Sequence, residues 1–123
     1  MQVSKKNVNR QIEAKIFKSL YQVLADLKNP LDVAKFIEDV LSETEKTVLA
    51  KRLAIAWYLT KNRPYELIRQ ELKVSSATIA AVQHLLDGKK AGMLLAVKTM
   101  EAEEWAGELA AKVKASVKKI FKK

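Results

Sequence analysis

Residues 41–86 decide the fold of this 123-residue chain and read LSETEKTVLAKRLAIAWYLTKNRPYELIRQELKVSSATIAAVQHLL. The stretch indicates one long helix followed by two short helices that a tight turn joins. Ile68 and Leu72 are four residues apart in the first short helix, so they share one face of it. Ile79 and Val82 are three apart and share a face of the second, and Val74 lies in the turn between the two helices. Two short helices that cross over a shared apolar contact are typical of a helix-turn-helix, which we place at residues 64–86.

The residues at the helix boundaries agree with this pattern. Asn62 suits the left-handed position that ends a helix, and Pro64 suits the first turn of the next one, where its missing N–H is no loss. Ser75 is a good N-cap because its hydroxyl can accept a backbone N–H that has no helical partner. Gly88 then ends the last helix. An ordinary helical hairpin of a bundle has the same spacing, so these signals alone leave both structures open.

The rest of the chain also has helical periodicity. We expect helices at about 5–27, 31–40, 43–61 and 89–121, with residues 1–4 frayed. Ser42 and Glu45 have the spacing of a capping box that starts the long helix. Gly92 and Gly107 weaken the last helix by roughly 1 kcal/mol each, and either can mark a bend. No stretch alternates as a strand does, so the sequence predicts an all-α domain of about six helices.

Composition argues against several classes of protein. The absence of cysteine excludes disulfides and thiolate metal sites, and the single histidine, His84, argues against a histidine-based metal site. No nucleophile–histidine–carboxylate set can be assigned, so we expect no enzyme and no cofactor. The first residues, MQVSKKNVNRQ, contain no apolar signal segment, and no apolar run approaches the ~20 residues of a membrane span. We therefore expect a cytoplasmic protein.

The chain is basic, with 23 Lys and Arg against 14 Asp and Glu and a net charge of +9. Residues 89–123 hold nine lysines and four glutamates, whereas residues 1–40 and 41–88 carry +2 each. This balance favours DNA, RNA or an acidic membrane surface as a partner without choosing among them. A solvated helix face explains the basic tail equally well.

One set of residues in the central stretch has the pattern of a known family. On the long helix the set comprises Leu41, Ser42, Glu45, Leu49, Ala50, Arg52, Leu53, Ile55 and Ala56. In the short helices it comprises Tyr65, Glu66, Ile68, Glu71, Leu72, Val82 and the run VSSATI at 74–79. The run at 74–79 is the most specific part. Together these residues resemble the tryptophan repressor family, in particular its uncharacterised relatives with a slightly shorter turn before the motif.

The resemblance implies an all-helical repressor-type fold, an intertwined homodimer and a recognition helix for the DNA major groove. It divides the chain into a helical domain at 1–88 and a basic amphipathic helix at 89–123, of which the part past about residue 92 is not covered. Trp57 and Tyr58 are interpreted as core or dimer-contact aromatics rather than as ligand-binding residues.

Four departures from the family's pattern bear on DNA binding by the motif. Arg69 stands where the family usually has a small residue, and Lys73 stands where it has a glycine in a left-handed turn. A lysine can adopt that conformation at a cost of roughly 1 kcal/mol. Ala80 and Ala81 replace a polar residue and an arginine, and arginine is the commonest reader of bases. The side chains left to face the bases are those of Ser75, Ser76, Ala77, Thr78 and Gln83.

The family's amino-acid pocket is altered as well. Ser42 and Arg52 match positions that hold the ligand, but the second guanidinium-bearing wall of the indole pocket falls at Ala81. The glycine that leaves room for the indole falls at Val82, which would intrude. We therefore expect no tryptophan binding. Arg52 also has a structural interpretation, as the partner of Glu45 or Glu66 in a helix ion pair.

The sequence thus predicts a dimeric DNA-binding regulator of the repressor type that acts without tryptophan. Helix 75–86 would enter the major groove, and flanking phosphates would be held by Lys61, Arg63, Arg69 and Lys73. A second hypothesis is a dimeric interaction module, or a non-specific nucleic-acid-binding module, that has lost sequence-specific readout. The alanines at 80 and 81 favour this second hypothesis, whereas the VSSATI run and the net charge favour the first.

Overall fold

The structure is a computed structural model that describes residues 8–121, with side chains through Lys119. This part of the chain forms six α-helices and no strand. They are α1 (Arg10–Leu27), α2 (Pro30–Val40), α3 (Glu43–Thr60), α4 (Tyr65–Leu72), α5 (Ser76–Asp87) and α6 (Ala91–Phe121). The all-α prediction is confirmed. The predicted fraying of residues 1–4 and the predicted helix start at residue 5 lie outside the described residues. Within them the predicted first helix is too long, because Asn9 caps α1 and residues 8 and 9 are not helical.

Local side-chain capping explains where the first three helices begin. Asn9 and Asn29 each accept a backbone N–H two residues ahead, at the start of α1 and α2. The predicted capping box is present before α3. The Glu45 backbone N–H donates to the Ser42 hydroxyl at 3.1 Å, and the Ser42 N–H donates to the Glu45 carboxylate at 2.8 Å. The second of these bonds holds the pKa of Glu45 below its usual value.

The described chain divides between Lys46 and Thr47 into two compact units. In the first unit α1 packs against α2, but no described side chain of either helix is buried. The apolar side chains of α1 form an exposed stripe that includes Ile12, Ile16, Leu20, Val23 and Leu24. On α2, Val40 is exposed, whereas Val33, Phe36 and Ile37 are half-buried. The helix pair alone therefore leaves much of its apolar surface in water.

The second unit contains the buried core. Its fully or nearly fully buried side chains come from α3, α4, α5 and α6, and they are Ile55, Ala56, Ile68, Ile79, Val82 and Val97. Leu72, Val74, Trp57 and Tyr58 pack against this cluster and are half-buried. The contact predicted between the two short helices is therefore confirmed, and Trp57 and Tyr58 pack against the edge of the core.

α6 continues without interruption through Gly92 and Gly107, the two positions considered for a bend. Its first turns pack on α5 and bury Val97. Among the described residues, no helix is both long enough and apolar enough to cross a bilayer.

Candidate nucleic-acid interface

Lys73 forms the turn between α4 and α5. Its backbone is left-handed, with φ 55° and ψ 54°, and its N–H donates to the Arg69 carbonyl at 3.0 Å. This is the conformation in which the family usually places glycine, so the chain makes the same turn with a side chain present. Asn62, which ends α3, is also left-handed, with φ 59°, as its type and position predicted.

The first turn of α5 is fixed by Ser75. Its hydroxyl accepts the Thr78 backbone N–H at 3.1 Å, which confirms the predicted N-cap. The Ser75 and Thr78 hydroxyls are also hydrogen-bonded to each other at 2.9 Å. Ser76 and Ala77, in the same turn, are exposed. The α5 N-terminus is therefore a hydrogen-bonded, solvent-facing turn whose polar side chains are short.

The two sides of α5 differ sharply. Ile79 and Val82 face the core, whereas Ser75, Ser76, Ala77, Thr78, Ala80 and Ala81 are exposed. Gln83, the longest polar side chain predicted to face the bases, is half-buried and donates to Asp87 one turn later at 2.9 Å. The exposed side of α5 is therefore shallow, and it can approach a flat groove floor closely.

Two of the four side chains predicted to bind phosphate lie in ion pairs. Lys61 contacts Glu104 of α6 at 3.1 Å, and its ammonium also lies 4.6 Å from the centre of the Trp57 ring. Arg69 pairs with Glu66, one turn earlier on α4. Among the described residues, Arg63 and Lys73 take part in no ion pair, and both are exposed.

Lys51 is a basic residue at this site that sequence reasoning missed. Its ammonium donates to the Lys73 carbonyl at 3.3 Å, across a sequence separation of 22 residues. Lys51 lines an open cleft together with Val48, Arg52, Lys73, Val74, Ser75 and Thr78. A signal was available, because Lys51 precedes the buried Ile55 by four residues and so shares its helix face. The cleft combines three cationic side chains with the N-cap of α5.

A second cleft of about 410 Å³ lies on the neighbouring side of α5. It is lined by Arg52, Ala77, Thr78, Ala81, Val82 and Leu85, so it unites three of the four positions predicted for a ligand pocket. The volume suits a small ligand. The lining supplies one guanidinium, from Arg52, and no second one to cover the other side of a ring. Ser42, the fourth predicted position, belongs to the first unit and caps α3.

One further polar contact joins α3 to α4 behind the interface. The Tyr58 hydroxyl donates to the Glu71 carboxylate at 2.5 Å. Because this hydrogen bond favours the protonated phenol, it raises the pKa of Tyr58 above its usual value. Glu66, one of the two carboxylates suggested for Arg52, is instead paired with Arg69.

Comparison with known proteins agrees with this geometry. The family model described as Trp repressor protein matches residues 15–101, which is most of the chain and includes all of α2 to α5. No curated protein and no solved structure matches the chain significantly. Within residues 8–121, no three His, Cys, Asp or Glu side chains lie close enough together to hold a metal ion.

Proposed function

This chain belongs to the Trp repressor family, and we propose that it regulates transcription by binding DNA through α4 and α5. The family indicates a DNA-binding regulator in general terms. The specific proposal is that α5 enters the major groove while α4 crosses the DNA backbone. Residues 1–88 would then form the DNA-binding part and residues 89–123 an accessory basic helix.

The observation that carries this proposal is the exposed first turn of α5, held beside cationic side chains. Ser76 and Ala77 are exposed there, and the hydroxyl of Thr78 is directed by Ser75. Lys73 lies immediately before the turn, and its carbonyl accepts the Lys51 ammonium. A helix N-terminus with adjacent cations suits a phosphate-lined groove, because both favour negative charge.

The four proposed phosphate contacts should contribute unequally. Arg63 and Lys73 can meet a phosphate without breaking an ion pair with a described residue. Lys61 and Arg69 must give up a carboxylate partner to bind a phosphate, so part of the favourable free energy of the phosphate contact is lost. We therefore expect Arg63 and Lys73 to account for more of the salt dependence than Lys61 and Arg69.

We propose that the protein acts as a homodimer. The α1 stripe is exposed along its length, and water-facing stripes of this kind are stabilised when a second chain covers them. A dimer would present two copies of α5 to successive major grooves, which are about 34–36 Å apart.

We propose further that tryptophan is not the co-repressor. An indole ring in the cleft beside α5 would meet the Arg52 guanidinium on one side and the Ala81 methyl group on the other. Val82 occupies the wall where the family has a glycine. The cleft has the volume for such a ligand but lacks the paired flat surfaces that hold an aromatic ring.

The experiment that tests the proposal is unbiased DNA selection with the full chain, repeated at several salt concentrations. Thr78→Ala or Ser76→Ala should change the preferred sequences and leave the salt slope unchanged, because these side chains face bases. Arg63→Ala should weaken binding to all DNA sequences alike, and it should reduce the slope of log affinity against log salt concentration by roughly one unit. Lys35→Ala, on α2, is the matched control and should alter neither quantity. Selection of the parental sequences by both the Ser76 and the Thr78 variant would contradict the recognition-helix assignment.

A second candidate function has support from one observation. The exposed side of α5 holds Ala77, Ala80 and Ala81, which make no hydrogen bonds to bases. A module of this kind would bind nucleic acid with little preference, and its specificity ratio would lie near or below the roughly 10³ minimum of dedicated regulators. Selection that returns no enriched sequence despite strong binding at low salt would favour it.

A further inference from the structure

The second half of α6 carries an apolar stripe in water. Trp105 is 66% exposed, Leu109 47%, Val113 55% and Val117 44%. Their spacing of four advances each side chain by only about 40° around the helix, so the four form one continuous stripe. Every side chain that the structure describes from Glu101 to Lys119 is exposed. We refer to residues 105–119 as the α6 tail.

The opposite side of the α6 tail is cationic. Its four lysines are Lys112, Lys114, Lys118 and Lys119, and its only acidic residue is Glu108. At about 100° per residue, the lysines lie roughly 80–160° from the middle of the apolar stripe. Some therefore flank the stripe and others oppose it. An exposed helix with tryptophan and aliphatic residues on one face and lysines on the other is the composition of helices that lie in a membrane interface.

The α6 tail begins where α6 leaves the helical core. Val97 is buried in the core, and Glu104 is paired with Lys61 of α3 at 3.1 Å. The family match ends at residue 101, so the tail lies outside the part of the chain that the family model covers. The family's DNA-binding role therefore does not account for the stripe.

We propose that the α6 tail binds the surface of a lipid bilayer that contains anionic phospholipids. The apolar stripe enters the boundary between headgroups and acyl chains, and the flanking lysines contact the phosphates. Trp105 would lie at the interface, where an amphipathic ring is favoured. This inference does not depend on DNA binding by α5.

Two other occupants fit the same surface less well. A nucleic acid would neutralise the lysines but would leave Trp105, Leu109 and the two valines in water. A second copy of the tail would cover the stripe, but each copy carries four lysines against Glu108, so two net-positive segments would meet. Anionic lipid satisfies both faces at once, since it supplies an apolar layer beneath a layer of negative charge.

The test is sedimentation of the full chain with vesicles. Vesicles of mixed phosphatidylcholine and phosphatidylglycerol should carry the protein down, whereas vesicles of phosphatidylcholine alone should leave it in solution. Substituting Lys114→Gln should lower partitioning about fivefold, because each lysine near such a surface contributes roughly that factor. Equal partitioning into both vesicle types would overturn the role of the lysines.

A matched pair of variants isolates the apolar stripe. Val113→Glu and Ala115→Glu change the net charge equally at two exposed positions, which lie about 160° apart around the helix. Ala115→Glu should lower partitioning into the vesicles about fivefold, because it changes the net charge as much as the loss of one lysine does. Val113→Glu should lower partitioning about tenfold more than that, because it also removes a valine from the apolar layer. Circular dichroism should show equal helix content in both variants.

Two results would overturn the proposal in favour of another occupant. If the two glutamate variants weaken vesicle binding equally, and weaken binding to a random DNA duplex to the same degree, the tail is a general polyanion-binding segment. If Val113→Glu lowers the mass in sedimentation velocity without vesicles while Ala115→Glu does not, the stripe is covered by a second copy. DNA selection with the same variants shows whether α5 still functions, so a failure of this inference is distinguishable from a failure of the regulator proposal.

Discussion

Replacing Lys73 by glycine should stabilise the protein relative to replacing it by alanine, although both changes remove the same charge. Lys73 has φ 55° and ψ 54°, a conformation that costs an L-residue roughly 1–2 kcal/mol and costs glycine nothing comparable. Alanine retains that cost because it has a Cβ atom. The comparison therefore separates the effect of the backbone conformation on stability from the effect of losing the ammonium group.

The expected magnitude follows from two opposing contributions. Glycine relieves the left-handed strain. It also gains conformational freedom in the unfolded chain, which lowers the free energy of unfolding by about 0.4–1 kcal/mol. The net difference should be about 0.5–1 kcal/mol in favour of Lys73→Gly. For a chain of this size, that corresponds to a rise in Tm of roughly 3 °C. The Lys51 hydrogen bond to the residue-73 carbonyl is available in both variants, since it involves only backbone at that position.

The assay is urea unfolding monitored by circular dichroism, at one protein concentration because association alters apparent stability. In parallel, the salt dependence of DNA binding should fall by roughly one unit in both variants, since both lose the ammonium group. Equal stability of the two variants would refute the argument from backbone strain. An unchanged salt slope in both would refute the assignment of Lys73 to a phosphate.

Three further outcomes are expected. Light scattering at micromolar concentration should give twice the chain mass of 13.9 kDa, because the exposed α1 stripe is stabilised by a partner; a monomer mass would contradict the dimer. Calorimetry with tryptophan should show no saturable binding at millimolar concentration, because Ala81 leaves one side of the cleft without a flat group to hold the indole ring. A DNA affinity that depends on tryptophan would contradict this prediction. Because the folded-state pKa of Tyr58 is raised, its bond to Glu71 should contribute to stability fully below the phenol's unfolded pKa. That contribution should disappear as the pH rises through the raised value, so the parent should lose its stability advantage over Tyr58→Phe at strongly alkaline pH. A parent that remains more stable than Tyr58→Phe there would contradict this origin.

The local features of the helix-turn-helix were predictable because each depends on neighbours in the sequence. The Ser42–Glu45 capping box, the Ser75 cap and the left-handed Asn62 are all present where the residue types indicated them. The buried contact of Ile68, Ile79 and Val82 followed from helical spacing, since periodicity determines which side chains share a face. The family resemblance, carried by the same residues, is confirmed by the match over residues 15–101.

Tertiary structure decided in part which of the proposed phosphate-binding side chains are already paired with a carboxylate. Lys61 and Glu104 are 43 residues apart, and no local rule brings them together. Lys51 became part of the interface because α3 passes beside the turn before α5. The Arg69–Glu66 pair follows from local spacing, since the two residues are one turn apart on α4, whereas the pairing of Lys61 with Glu104 requires the approach of a second helix.

The amino-acid sequence by itself determined the helices, most of their ends and the apolar face of each, because capping and helical spacing act within a few residues. Tertiary structure decided what each face meets. On α6, Val97 became part of the core while Val113, with the same side chain on the same helix, stayed in water. The physical reason is that periodicity creates an apolar face in either case, and burial requires another element within contact distance of it.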